Sequence, residues 1–241
     1  MFGLGTIINT AAIVVGGILG ALFGKLLQPR HQDALSKACG ICVLFIGIAG
    51  AMEGMLQVQG GSIVSGGGLM SVICIALGAL IGEILNIEGL FERFGQWLKI
   101  KTGNSRDKLF VEGFVTASLT VCIGAMAIVG AIQDGLSGDC SILATKAVLD
   151  LIIIIVMTCS LGKGCAFSAI PVAILQGSIT VLAALVKPLM TDAALTHLSM
   201  IGSILIFCVG INLVWGKKIR VANLLPAIVI AVVMAFLPFS V

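Results

Sequence analysis

Residues Gly124–Gly164 read GAMAIVGAIQDGLSGDCSILATKAVLDLIIIIVMTCSLGKG. Two long apolar runs meet there across a short acidic turn carrying Asp134 and Asp139. Inside the second run Lys146 and Asp150 stand four residues apart, one turn of a helix. Ionisable groups in a membrane-spanning helix are costly and usually face a protein interior or a water-filled cavity. The stretch therefore predicts an integral membrane protein whose chemistry lies near that turn and pair.

The rest of the chain agrees. Its 241 residues are 59% hydrophobic and 10% charged, with a mean hydropathy of +1.20. A soluble domain carries roughly 25% charged residues, so lipid must be the solvent here. The net charge of +3 is sorted by side rather than pooled, and no Lys/Arg stripe with interleaved aromatics invites nucleic acid. The first apolar run lacks the basic lead of a signal peptide and is expected to be a retained span. Most of the eight cysteines fall in apolar runs, where a thiol acts as a small hydrophobe. Cys39-Gly-Ile-Cys42 has CxxC spacing but no second pair and no nearby His, which favours helix packing over redox or metal chemistry.

A span needs about 20 mostly apolar residues. That rule predicts eight spans, at 4–27, 35–57, 68–87, 110–133, 141–161, 167–187, 195–215 and 221–240. The one long connection, about 88–109, begins with Leu90, Phe94, Trp97 and Leu98 at helical spacing among charges, and reads as an interfacial amphipathic helix followed by a polar loop. Trp97 and Trp215 are placed at the membrane–water boundary. Basic residues gather in every odd-numbered connection: Lys25, Arg30 and Lys37; Arg93 to Lys108; Lys163; Lys217, Lys218 and Arg220. The even-numbered ones carry Gln57, Gln59, Asp134, Asp139 and Asp192, with Lys187 the exception. The positive-inside rule then puts both termini outside. The expected architecture is an all-α polytopic transmembrane bundle, one integral membrane domain over 1–241.

Two internal echoes stand out. Leu19-Gly-Ala-Leu-Phe-Gly24 matches Leu77-Gly-Ala-Leu-Ile-Gly82, and both belong to small-xxx-small stripes that let helix backbones approach. Gly40–Ile48 resembles Gly202–Ile211 with one insertion, in spans that run oppositely, a pattern that inverted-repeat transporters use.

Three blocks carry a family resemblance: GTIINTAAIVVGGILGALFGK at the start, CIGAMAIVGAIQDGLSGD with KAVLD in the middle, and INLVWGKKIRVANLLPA near the end. They resemble the YqgA/YdfK family of bacterial multi-span membrane proteins, grouped under a domain of unknown function. The resemblance spans essentially the whole chain. It implies a protein of the bacterial cytoplasmic membrane and brings no established activity or catalytic residues.

Function is read from the residues. With span five starting near Ser141, a rise of 1.5 Å per residue puts Lys146 about 8 Å in and Asp150 about 14 Å in, close to the middle of a roughly 30 Å core. The pair is either a structural bridge that neutralises itself or a substrate-, ion- or proton-coupling site. Asn9, with Thr10, in span one, Gln176 in span six and Asn212 in span seven are candidates to join it. Gln176-Gly177-Ser178 reads as a break after Pro171 that frees backbone carbonyls to line a cavity. Asp134 is a candidate for binding at the mouth. Asp139 and Asp192 add an acidic outer face, with Asp139 also suited to capping span five. Asn223 and Pro226 read as the cap and first turn of the last helix.

Enzyme motifs fail. Gly162-Lys163-Gly164 lacks the rest of a P-loop, the two histidines fall on opposite sides, and no haem, flavin or quinone pattern is present, so no metal or cofactor is expected. The leading expectation is a secondary carrier or channel for a small polar solute, possibly cationic or proton-coupled. The alternative is a structural or regulatory membrane subunit that binds a partner through its glycine stripes. A homodimer through those GxxxG faces fits either.

Overall fold

A helix apolar on every side has no face to offer water and stays ordered only in lipid or inside a protein. The chain is built from such helices. The computed structural model describes residues 3–59 and 61–236. In order come α1 (Leu4–Gly24), α2 (Pro29–Met55), a hairpin of β1 (Leu56–Gln59) and β2 (Ser62–Ser65), α3 (Gly68–Leu85), α4 (Ile87–Lys101), α5 (Phe110–Cys122), α6 (Ala125–Ser137), α7 (Ser141–Leu161), α8 (Ala169–Val181), the short α9 (Ala183–Val186), α10 (Asp192–Trp215) and α11 (Pro226–Met234). The protein is an all-α polytopic bundle. Among the described residues six helical segments are long and apolar enough to cross a membrane, and the bent pair α5–α6 makes a seventh if it is one span. The region read as span eight is a shorter apolar stretch, Val221–Met234, and residues 237–240 of that reading lie outside the described residues. The antiparallel hairpin, Leu56 opposite Ser65 to Gln59 opposite Ser62, was not anticipated; it replaces the plain connection expected between spans two and three.

Glycines set the packing. Along α1, Gly5 meets Leu143, Gly16 meets Leu151 and Ile154, and Gly24 meets Cys159, so α1 and α7 run parallel. A Cβ on Gly20 would lie 2.6 Å from the Ile155 carbonyl oxygen. Along α2, Gly40 meets Leu213 and Val214, Gly47 meets Phe207 and Gly54 meets Met200, so α2 and α10 run antiparallel. That contact is reciprocal: Gly210 of α10 packs on Leu44 of α2. The echoed segments of spans two and seven thus face each other about a local two-fold. Gly78 and Gly82 of α3 press on Ala227 and Asn223, again antiparallel. The small-residue stripes of α1 and α3 are therefore occupied within the chain. A homodimer would need another face.

These directions orient the bent pair. α5 starts beside the end of α7, with Gly113 against Leu161, and α6 ends beside the start of α1, with Asp134 against Gly5 and Thr6. The pair runs the length of the bundle but bends by 62°; one span over 110–133 was expected, with Gly124, Gly130 and Gly135 free to let it bend or re-enter. The bend sits at Gly124, whose φ of 147° and ψ of 148° suit only glycine.

Span six departs in the opposite sense. A 3-10 turn, Lys163–Ser168, leads into α8, which runs unbroken through Gln176-Gly177-Ser178. Pro171 lies in the first turn, where its missing N–H leaves no helical bond unmade. The break expected here is absent; the bend at Gly124 is at one of the glycines read as letting span four bend.

At the basic end Asn86 (φ 48°) ends α3 in a left-handed cap, while its side chain accepts from Gly89 N at 3.3 Å to start α4. One residue turns the chain from span to surface. α4 is amphipathic: Leu98 is buried, Gly95 packs on Phe114, and Trp97 and Ile100 face outward. It is tied down by the buried Glu88, whose Oε1 lies 2.7 Å from Lys217 Nζ and whose Oε2 accepts from Ala222 N at 3.2 Å. Asn223 does not cap α11 as expected; its Oδ1 accepts from Glu88 N at 2.7 Å.

Partial burial of Lys217 disfavours its charge, but Glu88 and Glu92 more than offset that and raise its pKa above the ordinary 10.5. A raised lysine pKa means this bridge contributes fully below about pH 10.5 and is lost as pH climbs through the folded value. Melting temperature is expected to fall on strong alkalinisation, with a smaller alkaline loss in Lys217→Gln, measured by thermal unfolding in detergent between pH 7 and 11.5.

Candidate functional site

Lys146 and Asp150 sit on the face of α7 that meets α1, and both are buried. Lys146 Nζ donates to Asp150 Oδ1 at 2.7 Å and Oδ2 at 2.6 Å. One ammonium thus holds both carboxylate oxygens, so the pair is locally neutral. Because α1 runs parallel to α7, Asn9 falls level with the pair and lies next to the Asp150 carboxylate. Asn9 Nδ2 also donates to Gln176 Oε1 on α8 at 3.2 Å. Asn9 and Gln176 are 0% and 1% exposed. Four of the sequence candidates therefore meet in one buried row: Gln176, Asn9, Lys146 and Asp150.

One turn nearer the acidic end, Thr6 Oγ1 bonds Thr180 Oγ1 at 3.1 Å. Asp134 completes this layer. It is fully buried, not a mouth residue, and its Oδ2 accepts from Thr6 N at 3.2 Å. Thr6 N belongs to the first turn of α1, whose N–H groups have no helical partner, so Asp134 caps α1 from another helix. Gly5 makes room: a Cβ there would lie 3.1 Å from Asp134 Oδ2. Thr6 and Thr180 were missed in the sequence. Their signal was the spacing Thr6/Asn9 (i,i+3) and Gln176/Thr180 (i,i+4), which puts each pair on one helix face. Thr10 instead donates to Thr6 O within its own helix, at 2.8 Å.

The ladder is incompletely satisfied. Asn9 Oδ1, Asp134 Oδ1 and Gln176 Nε2 are buried with no hydrogen-bond partner among the described residues. Such groups are rare in folded interiors and each needs a reason.

The other candidates lie elsewhere. Asn212 is at the basic end, where its Oδ1 accepts from Lys218 N and Ile219 N, both at 2.9 Å, and its Nδ2 donates to Ile219 O at 2.7 Å. It folds the loop after α10 and does not join the ion pair. Asp139 is exposed and its Oδ1 accepts from Ser141 N at 3.0 Å, a capping role; the bonds from Ser141 lower its pKa. Asp192 is exposed in the first turn of α10.

A cavity of about 930 Å³ opens at the basic end between α2, α4, α5 and α10. Charges of both signs ring it, among them Lys37, Glu92, Arg93 and Lys217, and its depth is lined by Val115, Leu119 and Val209. Cys122, the last residue of α5, lies close enough to Lys146 and Asp150 to feel both charges. Leu119 is three residues, about 4.5 Å of helix, from Cys122. The floor of the cavity is therefore one helical turn from Cys122, at the place where α5 gives way to α6.

Comparison with known proteins agrees with this picture of a membrane bundle. The chain is 32% identical over 232 residues to the "Uncharacterized membrane protein YdfK" of Bacillus subtilis (strain 168), covering 96% of this chain and 95% of that one. It is 31% identical over 232 residues to the "Uncharacterized protein YqgA" of Escherichia coli (strain K12), covering 95% and 94%. No solved structure matches it. A family model described as "Protein of unknown function (DUF554)" matches residues 4–236, and with both relatives aligned over nearly their full lengths, the chain belongs to this family.

Proposed function

We propose that the protein is a secondary carrier or channel for a small polar solute in the bacterial cytoplasmic membrane, with the basic end cytoplasmic, eight crossings and both termini outside. The observation that carries this is the cavity from the basic end, which runs toward a buried row of polar groups and stops one turn short of the break between α5 and α6. A broken helix at membrane depth is tolerated where it is buried in protein or lines a water-filled cavity, and secondary transporters place their sites at such breaks. In this reading the structure is closed at the acidic end by the Asp134–Thr6–Thr180 layer and open at the basic end. Movement of α5 against α6 about Gly124 would connect the pair to the cavity. The alternating directions of α1, α2, α3, α5–α6, α7, α8, α10 and α11 support the eight crossings.

One observation favours the other reading, a structural or regulatory subunit: Lys146 and Asp150 already satisfy each other. A thermal-shift screen of detergent-purified protein against amino acids, polyamines and other small metabolites separates the two. A ligand at 100 times its Kd adds roughly 2.7 kcal/mol. Transport predicts a compound that stabilises wild type but neither Asp150→Asn nor the neutral double variant Lys146→Met/Asp150→Leu. If no compound stabilises wild type, or if the double variant responds as wild type does, the pair is structural.

A further inference from the structure

The cavity at the basic end is graded along its wall. Glu112, Val115, Thr116 and Leu119 of α5 all line it, at the i, i+3, i+4, i+7 spacing of one helix face. From Glu112 to Leu119 is about 10.5 Å of helix, so the wall passes from charged to apolar over two turns. Val209 of α10 extends the apolar part. The charges of the rim are unequally used. Lys37 is bridged to Asp33, and Lys217 to Glu88 and Glu92. Arg93, Lys108 and Glu112 also line the cavity. All three are exposed, and none forms a salt bridge among the described residues. The rim therefore offers charge of both signs that no ion pair engages, at the mouth of an apolar depth.

We propose that this cavity binds an apolar zwitterion, a free amino acid or short peptide with an apolar side chain. Arg93 brings the planar fork that suits a carboxylate, with Lys108 as a second positive charge. Glu112 meets the ammonium, and the side chain lies against Val115, Leu119 and Val209. Both charged heads stay at the wet rim, so the occupant carries no charge into the apolar depth, where it would be costly. An ion of one sign would leave rim charge of its own sign facing it, and a solute without an apolar body would leave the depth to water. The volume of about 930 Å³ lies within the roughly 300–1,000 Å³ of small-molecule sites and admits either source. That the bound zwitterion is also the transported solute rests on the transport reading; its binding does not.

The test is equilibrium binding of radioactive leucine and of radioactive leucyl-leucine to the full-length detergent-purified protein. The competitors are isocaproate and isoamylamine, which are leucine without its ammonium and without its carboxylate, with glycine and the soluble lipid dihexanoyl phosphatidylethanolamine. Wild type is expected to bind a probe saturably, and the tighter probe names the source, amino acid or peptide. Isocaproate, isoamylamine and glycine are each expected to compete at least about tenfold more weakly than leucine, or roughly 1.4 kcal/mol. In Glu112→Gln the zwitterion is expected to lose its advantage over isocaproate. In Arg93→Gln/Lys108→Gln it is expected to lose its advantage over isoamylamine. A merely structural role for these side chains would weaken every ligand alike, and their exposure means that the variants are expected to fold. No saturable binding of either probe overturns the proposal. So does a singly charged analogue that competes as well as the zwitterion, or a lipid that competes better than both probes. Binding that needs the rim but is unchanged in Asp150→Asn keeps the zwitterion site and counts against transport through the ion pair. A thermal-shift response to another solute that needs Asp150, with neither probe bound, keeps transport and overturns the zwitterion.

Discussion

Replacing Asp150 with leucine, so that Lys146 stays buried alone, is expected to destabilise the protein by about 3–5 kcal/mol, the usual result of removing one partner of a buried ion pair. The double variant Lys146→Met/Asp150→Leu is expected to recover most of that loss, because the uncompensated charge goes with its partner. Melting temperatures in detergent measure both. The recovery arises because the two charges interact chiefly with each other, through the bidentate contact at 2.6 and 2.7 Å. A double variant no more stable than Asp150→Leu would mean that Lys146 and Asp150 also hold other elements of the bundle. Stability and function are read separately: in the transport reading the double variant is stable and does not respond to solute.

The second large effect concerns backbone contact. A Cβ on Gly82 would overlap the carbonyl oxygen of Asn223, which is backbone and has no rotamer to escape into. Gly82→Ala is therefore expected to cost at least the upper end of the about 1–3 kcal/mol typical of overpacking, by prising α3 from the turn that leads into α11. The control is Gly177→Ala. Gly177 lies inside α8 and a Cβ there meets nothing within 4 Å, so the change is expected to stabilise by about 0.5–1 kcal/mol through helix propensity. Both are measured by thermal unfolding in detergent. Equal behaviour of the two variants would contradict the packing of α3 on the 221–224 turn.

The difference between these two glycines shows where sequence reading stops. Both lie in apolar helical stretches, and only the neighbour across the interface distinguishes them. The break was likewise expected at Gln176-Gly177-Ser178, on the strength of a proline and a polar interruption. Yet the side-chain carbonyl of Gln176 accepts from Asn9 on another helix, and α8 stays closed through the Gln-Gly-Ser stretch. At Gly124 the glycine itself shows that the helix can bend, but the flanking residues, as apolar as those of a straight span, do not show by how much. Asp134 reads as a loop acid because it sits in a short polar turn, and its burial depends on α1 bringing Gly5 and an uncapped N–H against it. Asn212 reads as a membrane polar group because it lies in an apolar run, but α10 ends three residues later and the side chain folds its own loop.

What the residues alone determined was the solvent, the all-α class, the positions of most spans, the sorting of charge to one end and the buried Lys146–Asp150 pair. Each is a local property: apolar length, helical spacing and charge count need no partner. What only the tertiary structure decided was the parallel docking of α1 on α7, which of the candidate glycines bends span four and by how much, the occupation of the glycine stripes within the chain, and the meeting of Asn9, Gln176, Thr6, Thr180 and Asp134. Those depend on which helix faces which. In lipid that choice is made by close packing and hydrogen bonding between distant segments, which leave little trace in any one stretch of sequence.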